Sequence, residues 1–122
     1  MNFKFKQENS DVNQRKQSCD KLKKLYPDKI PVIVEKDPRS KILNDIDKTK
    51  YLIPCIITAS QFIFMIRKRL QLNESEALFL IAKEKYTITG ETNMNDVYQK
   101  YCDEEDGYLY ITYAGEKVWG HN

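Results

Sequence analysis

Apolar side chains recur at helical steps through the first 26 residues, at Val12, Cys19, Leu22 and Tyr26. Arg15, Lys16, Lys21, Lys23 and Lys24 fall between them. This predicts an amphipathic helix with a wet basic face, or a basic face for a partner or an anionic membrane. Pro27 ends it, because the residue before a proline avoids the α region. The stretch before Asp11 reads as a separate short helix. The period then changes. Ile30-Pro-Val-Ile-Val-Glu35 is rich in β-branched residues and predicts a strand, and Lys50-Tyr-Leu-Ile-Pro-Cys-Ile56 predicts a second. Pro54 donates no backbone hydrogen bond, which puts the second strand at a sheet edge. Asp37 to Asp47 is a turn-rich connection.

Thr58-Ala-Ser-Gln61 has the spacing of a capping box and opens a helix to about Gln71. A strand at Ala77–Ala82, a short helix at Asn93–Tyr101 and a last strand at Tyr108–Tyr113 follow. The order α-α-β-β-α-β-α-β predicts an α+β protein of β-grasp architecture. A mixed four-stranded sheet wraps one central helix, with two extra N-terminal helices on its outer face. Residues 1–122 read as one domain: a helical extension at 1–26, a β-grasp core at 27–113 and a tail at 114–122.

The central helix has more apolar surface than one core face needs. Ala59, Ile63, Ile66 and Leu70 form one stripe, and Phe62 and Met65 form a second that ends at Arg69. Two readings stand: Phe62 and Met65 pack under a loop, or they floor an exposed pocket. The strand at 50–53 beside them favours the pocket. A free edge next to an apolar groove is the geometry of β-strand addition.

Composition narrows the chemistry. The net charge is +2 with 31% charged residues, so the surface is mixed and nucleic acid is not the main partner. No apolar run suits a transmembrane helix, and Met1-Asn-Phe-Lys-Phe-Lys lacks the apolar stretch of a signal peptide. Three distant cysteines (Cys19, Cys55, Cys102) fit neither a disulfide framework nor a zinc site and suggest a cytosolic chain with reduced thiols. The one histidine, His121, is penultimate, so no histidine-paired nucleophile can be built, and the isolated glycines form no phosphate loop. Asp103-Glu-Glu-Asp106 reads as a solvated loop rather than a metal site. No enzyme, metal or cofactor is expected. Gly120, by contrast, stands on a short tail past the last strand. Termini commonly fray, but a residue without a Cβ can also be threaded through a narrow active site and activated as a thioester.

Four blocks together resemble one family: Tyr26-Pro-Asp-Lys-Ile-Pro-Val-Ile-Val-Glu-Lys36, Asp47-Lys-Thr-Lys-Tyr-Leu-Ile-Pro54, Ile66-Arg-Lys-Arg-Leu-Gln-Leu72, and Asp106-Gly-Tyr-Leu-Tyr-Ile-Thr-Tyr113 with Trp119-Gly120 beyond it. The chain is similar, over nearly its whole length, to the autophagy-related ubiquitin-like modifiers of the GABARAP and light-chain-3 types. The resemblance implies a ubiquitin-like protein that is not an enzyme. A cysteine protease would cut between Gly120 and His121. E1-like and E2-like enzymes would then carry Gly120 to phosphatidylethanolamine. The protein would be cytoplasmic, and on the autophagosome membrane when lipidated. There it would bind receptor and adaptor proteins through aromatic-x-x-aliphatic peptides.

By matching position, the aromatic pocket is Leu22, Ile30, Pro31, Ile33, Lys50, Leu52 and Tyr108. The aliphatic pocket is Tyr51, Ile53, Pro54, Ile57, Phe62 and Met65, with Arg69 at its edge. Where relatives often carry an acidic residue one turn before Leu22, this chain has Ser18. The alternative function is a trafficking or microtubule-associated adaptor of the same fold that is never conjugated.

Overall fold

A computed structural model describes residues 2–118 of the chain. Two helices come first, α1 (Lys4–Glu8) and α2 (Val12–Leu25). The strands β1 (Lys29–Lys36) and β2 (Lys50–Pro54) follow, then the central helix α3 (Ala59–Leu70). The chain continues through β3 (Phe79–Ala82), β4 (Tyr86–Ile88), α4 (Met94–Tyr101) and β5 (Leu109–Ala114). The α2 helix starts at Asp11, whose carboxylate accepts the N–H groups of Asn13 and Gln14. The capping box opens α3 as expected: Thr58 accepts from the Gln61 N–H and the Gln61 side chain accepts from the Thr58 N–H. That helix stops at Gln71, which turns into the left-handed region at φ 57°.

The sheet order is β2-β1-β5-β3-β4, with β1 and β5 parallel at the centre and antiparallel pairs outside. The architecture is the expected mixed sheet on a central helix, but the sheet has five strands, not four. The additional strand, β4, is three residues long and returns from β3 through Lys83 and Glu84, both at positive φ. Such a turn normally advertises itself with Asn or Gly, and neither is present here. Two strand boundaries also shift by two residues. The second strand ends at Pro54 rather than Ile56, and the third begins at Phe79 rather than Ala77.

Strand alternation sorts the side chains onto two faces. Ile30, Val32 and Val34 of β1 join Leu109, Ile111 and Tyr113 in the core with Phe62 and Ile66 of α3. Ile33 points the other way and clusters with Cys19 of α2 and with Tyr108. The N-terminal helices therefore cover the outer face. The 37–47 connection is not a loose loop, since Leu43 and Ile46 are buried in the main core. Gly115 permits that packing: a Cβ there would lie 2.8 Å from Ile42 Cγ1 and 2.8 Å from Leu43 Cγ.

Candidate functional site

The site grows from β2. It pairs with β1 alone, from Lys29↔Pro54 to Ile33↔Lys50, so its far edge is unpaired among the described residues. An unpaired edge presents a row of backbone donors and acceptors to any extended chain laid beside it. The alternation of β2 sends Tyr51 and Ile53 under α3, where both are buried. Lys50 and Leu52 face the N-terminal helices. The edge strand therefore has a different surface on each side.

On the outer side, Ile33 and Tyr108 are fully buried, with Leu22 and Phe5 packed against them. Pro31 lies opposite Leu52 in the ladder. The Lys50 ammonium stands 5.5 Å from the Tyr108 ring centroid and 5.9 Å from that of Phe5. Ser18 forms a 2.9 Å hydroxyl pair with the Tyr108 phenol, tying α2 to the residue that leads into β5. Ile30 does not join this group. It sits one residue from Pro31 and so faces α3, inside the main core. Its assignment to the aromatic pocket is corrected on that ground.

On the α3 side, Tyr51 and Ile53 form a floor, and the Tyr51 ring meets Phe62 edge-on at 6.5 Å. The Tyr51 hydroxyl donates to the Lys48 carbonyl at 2.6 Å. Burial pushes this phenol up to about 12, so it stays a neutral donor. The reading of Phe62 as surplus to the core is corrected: it has no exposed surface at all. Met65, one turn on, is 40% exposed, and Ile57 and Pro54 are half-buried. The accessible apolar side chains here are thus Met65 and Ile57, with Pro54 at the end of β2. Arg69 marks the end of this side through a double contact with Asp47, at 2.8 and 3.1 Å. Both side chains are exposed, so this pair orients Arg69 more than it stabilises the fold.

A buried polar latch stands behind Tyr108. Asp106, 1% exposed, accepts from Arg15 Nε at 2.8 Å, from the Tyr108 N–H at 2.9 Å and from the Tyr110 hydroxyl at 2.6 Å. Arg15 also donates to the Asn9 carbonyl at 2.7 Å. Arg15 is therefore not part of the wet face of α2, and Asp106 is not part of a solvated acidic loop. At the other end of that loop Asp103 pairs with Lys6 at 2.7 Å. Directly after Asp106, Gly107 adopts φ +86°, where a Cβ would lie 3.0 Å from Cys19 Sγ. Nothing in local spacing announces this latch, because its partners lie 91 residues apart.

Near the tail, Glu116 accepts from Ser40 Oγ at 2.5 Å and from the Lys41 N–H at 2.9 Å. Gly120 and His121, assigned to attachment and cleavage, lie outside the described residues. Among the described residues no group of three or more His, Cys, Asp or Glu side chains is placed to hold a metal ion. No described helix is long and apolar enough to cross a membrane.

A β-grasp sheet wrapped on one helix, with a helical layer added in front of it, defines a ubiquitin-like protein. The sequence profile of the family described as "Autophagy protein Atg8 ubiquitin like" matches residues 14–120. The chain belongs to that family. It is 46% identical over 116 residues to autophagy-related protein 8e of Arabidopsis thaliana, covering 95% of this chain and 92% of that protein. The crystal structure of Trypanosoma brucei ATG8 superposes with a TM-score of 0.87 at 34% identity, covering 98% of this chain and 100% of that one. The function-bearing class is thereby an autophagy-related ubiquitin-like protein.

Proposed function

We propose that this protein is a modifier conjugated through Gly120 to phosphatidylethanolamine, and that it recruits receptors by pairing their aromatic-x-x-aliphatic peptides with β2. The observation that carries the reading is the unpaired edge of β2 with a different apolar surface on each side. An extended peptide added to that edge sends alternate side chains to opposite faces. Its aromatic residue is directed toward Leu22, Leu52 and Tyr108. Its aliphatic residue is directed toward Met65, Ile57 and Pro54. Lys50 gives the outer side of the groove a positive entrance, which favours an acidic residue beside the peptide's aromatic anchor, whereas Arg69 is already paired with Asp47.

The family assignment supports conjugation, since the matched segment runs through Gly120. In this reading a cysteine protease removes His121 and Asn122. E1-like and E2-like enzymes then carry the glycine as a thioester, and the protein itself performs no catalysis. It moves between the cytoplasm and the autophagosome membrane as it is conjugated and released. Mass spectrometry of the protein from its own cells tests this. The expected species ends at Gly120 and carries a diacyl phospholipid. A uniform full-length chain would instead support the adaptor that is never conjugated.

A further inference from the structure

The outer side of the groove contains a contradiction. Ile33 pairs with Lys50 of the open edge strand and Tyr108 lies across β1 from that strand, yet neither has exposed surface. Packed against them are Leu22, Tyr110, Phe3 and Phe5, with the Lys50 ammonium above the Tyr108 ring. Phe5 meets the Tyr108 ring edge-on at 5.1 Å, and Lys50 reaches over both rings. An incoming aromatic side chain cannot touch Tyr108 while Phe5 holds that position.

We propose that Phe5 is a resident occupant of the aromatic pocket and that α1 is a strap which a bound peptide displaces. The proposal rests on the peptide-groove reading above and adds an internal competitor to it. The attachment of α1 suits such a role. The helix has five residues and buries none of them. A helix that short does not persist alone in water, so tertiary contacts hold it. Those contacts are few and polar at its start. The Glu35 carboxylate of β1 accepts the N–H of Lys4 at 2.8 Å and the N–H of Phe5 itself at 3.0 Å. Lys6 pairs with Asp103 at 2.7 Å and stands 4.6 Å over the Tyr110 ring, and Phe3 meets that ring at 5.0 Å. No residue of α1 belongs to the main core. The strap can therefore leave while the β-grasp stays folded. When it leaves, the uncovered Tyr108 and Ile33 accept the peptide's aromatic ring in place of Phe5, and the apolar contact is replaced rather than lost.

A protein that must open before it binds shows a weaker apparent affinity, reduced by the fraction of molecules that are open. Removing the occupant removes that reduction. The test uses the full chain and a synthetic peptide with tryptophan and leucine at the two anchor positions. Calorimetric titration compares the wild type with Phe5→Ala, and amide hydrogen exchange follows Lys4 and Phe5 in the wild type. Phe5→Ala is expected to bind roughly three- to tenfold more tightly, the range for a pocket closed most of the time. The Lys4 and Phe5 amides, held by Glu35, are expected to lose protection at saturating peptide. Equal or weaker binding by Phe5→Ala, or amides that stay protected at saturation, would show that Phe5 is a fixed wall and overturn the strap alone. Absence of binding by both proteins would overturn the groove and the strap together. Should Phe5→Ala fold poorly, the exchange measurement on the wild type decides.

Discussion

Arg15 and Asp106 meet through a 2.8 Å Nε–Oδ2 bond across 91 residues of sequence, and both are shut away from solvent. Hydrogen bonding to Asp106 outweighs the opposing effect of burial and raises the Arg15 guanidinium further above its ordinary value. The pair does more than hold α2 against the sheet. Asp106 also takes the Tyr108 N–H, so the latch fixes the backbone of the residue proposed as the base of the outer pocket. Breaking a buried pair by deleting one partner leaves the other charge uncompensated. Arg15→Ala is expected to cost about 3–5 kcal/mol in a denaturant melt. Asp106→Asn should cost a similar amount: with its amide oxygen on the Tyr108 N–H, its NH2 group stands against the Arg15 Nε–H, and the buried guanidinium has no counter-charge. A loss below about 1 kcal/mol for Arg15→Ala would mean that water replaces the guanidinium freely, the behaviour of an exposed pair.

Phe62 gives a second prediction, on folding rather than binding. It is as buried as Ile66, packs on Tyr51 and lies in the same core cluster. Phe62→Ala is expected to destabilise by about 3–5 kcal/mol, and Ile66→Ala by about 2–5 kcal/mol. Met65→Ala, on the exposed rim, should change stability little and peptide affinity more. Chemical denaturation of the three variants checks the order. Phe62→Ala melting like the wild type would return Phe62 to the surface.

Phe62 also shows where reading the sequence reached its limit. A helical wheel gives the angle at which a side chain leaves its helix. It does not say how far the facing sheet extends, and here Tyr51 of β2 meets Phe62 and buries that half of the second stripe, leaving Met65 exposed. The elements that were legible carry their signals locally. The Thr58–Gln61 box lies within one turn, and the run from Ile30 to Glu35 states its β character by composition. The proline in 50–54 placed that strand at an edge before any partner was known. What stayed hidden depends on distant residues. Arg15 reads as one more basic residue on a wet face until Asp106 arrives from the other end of the chain. Phe5 reads as part of a short lead-in helix until Tyr108 and Lys50 meet it. The three-residue β4 has neither the length nor the turn chemistry to announce itself.

The groove itself is tested at Leu52. It lies half-buried on the outer side of β2, opposite Pro31 and outside the main core. Leu52→Ala is expected to weaken binding of an aromatic-x-x-aliphatic peptide by about 1–3 kcal/mol, the scale of a buried anchor contact. The melting temperature should move little. Titration calorimetry beside a thermal melt separates the two effects, and unchanged affinity would remove Leu52 from the site.

Acid supplies a fourth test, at the bend after β1. Burial alone would raise the Asp37 carboxyl, but hydrogen bonds from the Arg39 side chain and N–H outweigh it and hold Asp37 below the usual carboxylate range. A carboxyl depressed by folding stabilises the protein above its unfolded value, near 3.9. That contribution disappears as pH falls through the lower folded value. In Arg39→Ala the guanidinium's hydrogen bonds and charge are lost from the balance against burial, so the Asp37 carboxyl should titrate at higher pH. The variant should therefore be destabilised most at neutral pH, and its deficit should shrink as the medium becomes acidic. Urea melts at several pH values give the comparison. A deficit that stays constant from neutral pH down to pH ~3 would mean that Arg39 does not act through the Asp37 charge.

The last prediction concerns the tail and separates the conjugated reading from the unconjugated one. In the conjugated reading, trimming after Gly120 must come first, and the free glycine carboxylate is what the E1-like enzyme activates. A chain ending at Gly120 is then expected to reach membranes in cells that lack the processing protease. Gly120→Ala should remain in the cytoplasm, because a Cβ at the reacting residue hinders both cleavage and thioester transfer in a narrow channel. Folding should be indifferent to either change. The sheet is complete at Ala114, and the tail is anchored at Glu116 through Ser40 and Lys41, upstream of the altered position. Peptide affinity should also survive, since β2 and the two apolar surfaces beside it are built from other parts of the chain. Membrane flotation of lysates expressing each variant, with titration calorimetry on the purified proteins, reads both halves. Flotation of Gly120→Ala at the wild-type level would remove Gly120 as the point of attachment. Peptide binding could still hold in that case, and the protein would then act as an adaptor that is never conjugated.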